Sequence, residues 1–327
     1  MRNYKIMESN LLYSEFIKEP IKILDVGANE HQEEFLSGLA PYCEIHAVQP
    51  FDKVFFKLKK NQNLKVSYKN LIAYNLGLAE SNGKKVLNIT KHPGASSFYE
   101  PNKKIVERWR LPSDKSFDVE KKISVDCITL AEFFKISNLK SIDFANLTAN
   151  ASELDIFKGA GDLIKNISII KTQIEFVQIW KNQETFDDLL SHLRKYGFRL
   201  IHFLEMGEIQ KKKIRGKAIF ILEKFNDNNK LLKAAVILVE MGLQQEAKWI
   251  LMDHGVDKKI YEKLLTSSLG KNYNLAKTIY KMNFFAKSFT SHIWPLEWIR
   301  LKVVKIFKKT NFGNSVSKIS EIFKLKK

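Results

Sequence analysis

The chain has 327 residues, too long for a single small module and suited to one large α/β domain with an appendage. With 45% hydrophobic and 28% charged residues it excludes wholesale disorder, and its two cysteines, Cys43 and Cys127, exclude a disulfide framework and a multi-cysteine zinc site. The net charge of +18 invites a nucleic-acid partner, but only seven of the 54 basic residues are Arg, so that partner is not expected.

The charge is also uneven. Residues 226–327 hold 19 basic and 8 acidic residues, so the excess belongs to the tail rather than to the part that carries motifs. No run of about 18 uncharged apolar residues occurs, and no membrane-spanning helix is expected. The first residues lack the apolar core of a signal peptide, which makes a cytoplasmic setting the default expectation.

Residues 21–26 (IKILDV) form a short apolar run stopped by Gly27, the pattern of a buried parallel strand. Residues 33–39 follow as a candidate helix. Residues 45–48 (IHAV) read as a second strand closed by Gln49-Pro50, and 54–58 sit in a helical stretch. Residues 72–78 read as a third strand. Asn82-Gly83 ahead of the alternating run 84–90 is a hairpin signal. Further strands are predicted over 123–125 and 142–147, a helix over 153–164, a long β-rich run over 167–176, and a helix over 184–196 stopped by Gly197. Residues 198–203 and 218–222 are two last strands, close enough to pair antiparallel. Strands alternating with helices predict a doubly wound α/β sheet. After Phe225 the strand signals stop; Asp227-Asn228-Asn229 is a polar linker, and 231–241 and 246–252 are helical. The expected organisation is a sheet domain over 1–225 and a basic helical extension over 226–327.

Ligands in open α/β sheets bind beyond the carboxyl ends of the strands. Asp25-Val26-Gly27-Ala28-Asn29 occupies that position after the first strand. Gly27 allows close backbone approach, and Asp25 and Asn29 supply polar atoms. The same residues also suit an ordinary strand-to-helix turn. Gln49 ends the second strand, where nucleotide-type sites usually carry an acidic group for ribose hydroxyls. The absence of GxGxxG disfavours a nicotinamide dinucleotide.

The chain resembles the FkbM family of S-adenosylmethionine-dependent methyltransferases. The matching segments, in family order, are ILDVGAN (23–29), HAVQPF (46–51), NLGLAESNGKKVLNI (75–89), GASS (94–97), SVDCITLAEFF (124–134), IDFANLTANASELDIFKGA (142–160) and IEFVQIWKNQETFDDLLSHLRKYGF (174–198). The resemblance implies a Rossmann-like seven-stranded methyltransferase sheet, with which the closing antiparallel pair agrees. It also implies S-adenosylmethionine as cofactor and O-methylation of a hydroxyl on a sugar, polysaccharide or secondary metabolite. The partner is then a small-molecule or glycan acceptor. The cofactor-binding candidates are Asp25, Gly27, Asn29, Gln49 and Asp143.

The sequence departs from the family pattern at chosen places. Asn146 stands where the family has Lys, Thr148 where it has Asp, Asn150 where it has Glu, and Ala151 where it has Gly. Gln49 replaces a Glu, and His31 stands where a second Gly is usual. Methyl transfer to a hydroxyl needs positioning and a proton acceptor. Thr148 and Asn150 are poor bases, which leaves Glu153, Glu175, His31 and His92 by motif position. Glu175 reads equally as a base and as a solvated strand end. His92, before Pro93-Gly94, lies in a loop that could cover the site. Ser96 and Ser97 match the family's serine pair. These neutral replacements keep a second reading open, a catalytically degenerate fold acting as a binding or assembly module. The scattered carboxylates predict no metal site.

In the tail, residues 297–309 (EWIRLKVVKIFKK) place Ile299, Val303, Val304, Ile306 and Phe307 on one side of a helical wheel. Lys302, Lys305, Lys308 and Lys309 fall opposite. A basic amphipathic helix of this kind can lie on an anionic membrane, so peripheral membrane contact is the expectation weighed against a helix packed on the domain.

Overall fold

A computed structural model describes residues 13, 15–28, 39–61, 68–108, 114–205 and 214–265, all within one compact unit. The first part of the chain runs β1 (Ile21–Val26), β2 (Cys43–Val48), α1 (Asp52–Asn61), β3 (Asn70–Tyr74), β4 (Gly77–Leu78), β5 (Gly83–Thr90), α2 (Lys103–Arg108) and β6 (Val119–Ile128). Then come α3 (Leu130–Ile136), β7 (Ile142–Leu147), α4 (Glu153–Lys158), β8 (Ile167–Glu175), α5 (Phe186–Lys195), β9 (Phe198–Glu205) and β10 (Arg215–Leu222). Three helices close the described part: α6 (Asn228–Glu240), α7 (Gln244–Asp253) and α8 (Lys258–Leu265).

Seven strands form one sheet in the order β3-β2-β1-β7-β8-β10-β9. The first five are parallel to their neighbours, and β10 pairs antiparallel with both β8 and β9. Every residue of β7 and β8 is buried, as expected for parallel strands covered on both faces. This is the doubly wound α/β sheet that the strand pattern predicts, with the seven-stranded, Rossmann-like arrangement that the resemblance implies. Strand order reverses between β1 and β7, so the carboxyl ends of those two strands border the crevice where ligands of such sheets bind.

Two local expectations are corrected. The run 72–78 is two strands, because the chain leaves the main sheet after Tyr74 and Gly77–Leu78 pairs with Cys127–Ile128. Gly77 fits there because a Cβ would stand 2.7 Å from Cys127 Sγ and 2.8 Å from the Phe98 ring. The Asn82-Gly83 turn joins β4 to β5, but these pair with β6 lying between them and not with each other. The predicted helix 33–39, except its last residue Leu39, and the basic segment 297–309 lie outside the described residues.

One layer on the sheet comes from α3, α4 and α5. Phe133, Phe157 and Leu189 pack with Leu24, Val26 and Val48. The other layer comes from the helices after residue 225: Leu231, Ala234, Leu238, Ala247, Leu251 and Leu264 are buried with Ile23, Ile45 and Ile169. No helix among the described residues is long and apolar enough to cross a membrane.

Candidate functional site

The turns at the carboxyl ends of the strands hold one another through their backbones. Gly27 N and Thr148 N donate to Val48 O and Val26 O, each at 3.0 Å. Gly27 has φ 75°, and a Cβ there would lie 2.2 Å from Thr148 O. Glycine is therefore required for the β1 turn to pack against the β7 turn, whatever ligand approaches it. Gln49 Nε2 donates to Ala28 O at 2.7 Å, and Gln49 Oε1 accepts from Phe51 N at 3.0 Å. Its carboxamide thus staples the two turns together. Between β1 and β7, Asn146 Nδ2 donates to Asp25 Oδ1 at 2.8 Å, while the buried Asn146 Oδ1 has no hydrogen-bond partner among the described residues.

The loop after β7 is strained. Asn150 and Ala151 have φ of 47° and 87°, a left-handed pair that costs roughly 1–2 kcal/mol per non-glycine residue. Glu153 holds the loop in this shape, its two carboxylate oxygens accepting from Ala149 N at 2.7 Å and Ala151 N at 2.9 Å. Asn150 then faces the turn that follows β5. Its Nδ2 donates to Gly94 O and Ser96 O, both at 2.9 Å, and its carbonyl accepts from Ser97 Oγ at 2.5 Å. Asn150 Oδ1 accepts from Gln173 Nε2 at 3.2 Å, and the same amide donates to Glu175 Oε1 at 2.5 Å. Gln183 Nε2 completes the set by donating to Glu175 Oε2 at 2.7 Å.

Glu153, the first residue of α4, and Glu175, the last of β8, are therefore two buried carboxyls, 4% and 3% exposed. Burial pushes both well above the ordinary glutamate range. Repulsion from Glu175 adds to the shift on Glu153, and the donors on Glu175 oppose its own shift. The two titrate as a unit. A cavity of about 10 Å³ lies against them, lined by Glu153, Gln173, Glu175, Gln183 and Phe186 among others. Such a pair can hold a proton at neutral pH or accept one from a group entering the cavity.

Over residues 25–200 the sequence matches the family described as the methyltransferase FkbM domain. The chain belongs to that family. No curated protein matches. Among solved structures, the chain is similar to the magnesium protoporphyrin IX methyltransferase of Synechocystis with bound SAM, at 8% identity over 67% of this chain and 79% of that one, with a TM-score of 0.31. An rRNA methylase of Streptococcus thermophilus gives 10% identity, 66% and 94% coverage and a TM-score of 0.32. A SAM-dependent methyltransferase of Methanosarcina mazei gives 13%, 64%, 95% and 0.29. All three likenesses are remote.

Set against the FkbM pattern, the neutral residues act as donors. An ionised glutamate at 49 or 150 could not donate to Ala28 O, Gly94 O or Ser96 O, so Gln49 and Asn150 form contacts that ionised carboxylates there could not. Asn146 replaces an ammonium, yet keeps a hydrogen bond to Asp25. Thr148 lies on the turn against Gly27. Asn150, Glu153 and Glu175 come together in one network, which Ser96 and Ser97 join through Asn150. His92 is exposed on the neighbouring turn, and no contact among the described residues links its ring to the carboxyl pair. Asn29 and His31 lie outside the described residues.

Asp143 is a correction. It sits at the amino end of β7, away from the crevice, because β7 starts at Ile142 and runs parallel to β1. Its Oδ2 accepts from Lys22 N at 2.8 Å and pairs with Lys233 Nζ of α6 at 3.3 Å, so it ties the helical layer to the sheet. Sequence reasoning also missed Gln173 and Gln183. The alternation Lys171, Gln173, Glu175 along β8 was the available signal, since it puts three polar side chains in succession on one face of a buried strand.

The fit to S-adenosylmethionine is uneven. Asp25 and Asn146 Oδ1, which no described residue pairs with, are acceptors at the crevice, suited to the amino group of its methionine part. The expected ribose position does not fit as well, since Gln49 uses both ends of its carboxamide on backbone groups.

Proposed function

We propose that the chain is an S-adenosylmethionine-dependent O-methyltransferase acting on a hydroxyl of a sugar, polysaccharide or secondary metabolite. The observation that carries this reading is the buried Glu153–Glu175 pair beside a cavity at the carboxyl ends of β7 and β8. Asp25 and Asn146 would hold the amino group of the donor. When bound, the donor supplies a sulfonium methyl that the acceptor oxygen takes as the carbon–sulfur bond breaks. What remains for the protein is to orient the acceptor hydroxyl and remove its proton. Glu175 is the base: Gln173 and Gln183 fix both its oxygens as acceptors, and burial raises its proton affinity toward neutral pH, where a base works best. Glu153 is a positioning residue, since both its oxygens clamp the strained loop.

A second reading, a binding or assembly module without catalysis, is favoured by Gln49, whose side chain is committed to the turns. The test is formation of S-adenosylhomocysteine with hydroxylated acceptors, comparing the parent with Glu175→Gln. The catalytic reading expects turnover that Glu175→Gln reduces by about 10²–10⁴ with donor binding retained. Donor binding with no turnover on any acceptor favours the module.

A further inference from the structure

We infer that the acceptor is a phenol, its ring lying on Phe176, Phe186 and Phe203 and its hydroxyl entering the slot beside Glu175. This rests on the reading of Glu175 as the proton acceptor and narrows the substrate class of that site.

The slot has a volume of about 10 Å³, room for one water-sized group, so it admits a hydroxyl and not the ring that carries it. Phe186 forms part of its wall, at the first turn of α5. From there the surface continues as aromatic rings. Phe176 lies 5.5 Å from Phe186 at 70°, and Phe203 lies 5.4 Å from Phe186 at 64°. Phe176, next in sequence to Glu175, and Phe203 are 43% and 47% exposed, so two large apolar rings joined through Phe186 face solvent here. Rings packed edge to face extend naturally to a fourth aromatic ring.

A sugar suits this surface less well. Its further hydroxyls would meet phenyl rings, while nearby polar side chains are already engaged, Glu184 with Lys158 and Thr185 with Asp187 and Asp188. Hydroxyls covered without partners are costly. A phenol brings one hydroxyl, and the slot receives it.

The proton chemistry agrees. A phenol ionises near about pH 10, far more readily than an aliphatic alcohol. Its O–H bond breaks, the proton passes to a Glu175 oxygen, and the electron pair stays on the phenolate oxygen that accepts the methyl group. Burial raises the Glu175 carboxyl, which narrows the gap between the two groups.

The experiment is ¹⁹F NMR of 4-fluorophenol with the full chain, beside 2-deoxy-2-fluoroglucose. It needs neither donor nor turnover, so a failed catalytic assay and a failed phenol site are read separately. The expected result is saturable broadening of 4-fluorophenol only, weakened by about tenfold in Phe186→Ala and measurably in Phe203→Ala. Phe203 is half exposed, so its variant keeps the test valid should Phe186→Ala unfold. Absence of 4-fluorophenol binding, binding unchanged in Phe203→Ala, or preferential binding of the fluoroglucose overturns the inference.

Discussion

Replacing Gln49 by glutamate restores the family's residue, yet the structure predicts harm. The carboxamide nitrogen stands 2.7 Å from Ala28 O, and the amide oxygen accepts from Phe51 N. An ionised carboxylate in its place would put an oxygen against the Ala28 carbonyl and leave that buried acceptor unpaired, at a cost of about 1–3 kcal/mol. A protonated carboxyl could still donate to Ala28 O, so the folded state holds this proton more tightly than the unfolded chain and the introduced carboxyl has a raised value. A raised carboxyl gives stability that is present below its unfolded value and lost as pH rises through the folded one. Gln49→Glu should therefore match the parent near pH 4.5 and fall behind above it. At about 2–4 °C per kcal/mol the deficit at pH 8 is about 2–12 °C in Tm. Thermal unfolding of both proteins from pH 4.5 to 8.5 checks this. A variant as stable as the parent at pH 8, or a deficit independent of pH, would refute the donor role of Gln49.

Three further outcomes follow from buried groups. Lys233→Met leaves the Asp143 carboxylate, 1% exposed, without its ion-pair partner, and urea unfolding should show a loss of about 3–5 kcal/mol that Asp143→Asn in the same chain largely restores. Gly27→Ala forces a Cβ to 2.2 Å from Thr148 O at φ 75°, and should lower stability by about 2 kcal/mol or more by the same measurement. Glu153 and Glu175 hold their protons above the ordinary glutamate range in the folded state, so the parent should lose stability as pH rises from about 5 to 8.5, by up to about 1.4 kcal/mol per pH unit for each group. His46 and His192, lowered by burial, act in the opposite sense in both proteins, so the urea midpoint of Glu153→Gln should fall less steeply than the parent's; identical pH slopes contradict the buried pair.

The short apolar runs at 21–26 and 142–147 and the β-rich run at 167–176 were legible as strands because parallel strands buried on both faces are rich in apolar and β-branched residues. The pairing of β4 and β5 around β6 was not, because Asn82-Gly83 specifies a turn and says nothing of a strand arriving from residue 119. Asp143 was misplaced by treating a motif as a cluster. It is the second residue of a strand whose other end, at Leu147, reaches the crevice. Asn150 and Gln49 look in sequence like carboxylates lost. Only the carbonyls of Ala28, Gly94 and Ser96 reveal that a donor has been gained, and backbone acceptors leave no trace in sequence. Phe176 follows β8, Phe186 opens α5 and Phe203 lies in β9, so their adjacency is a product of the tertiary structure.

Isothermal titration of the full chain with S-adenosylmethionine tests most directly whether this FkbM-family sheet holds a methyl donor. Saturable one-to-one binding that Asp25→Ala greatly weakens is the predicted result. No heat of binding at millimolar donor, or an affinity that Asp25→Ala leaves unchanged, would contradict the account.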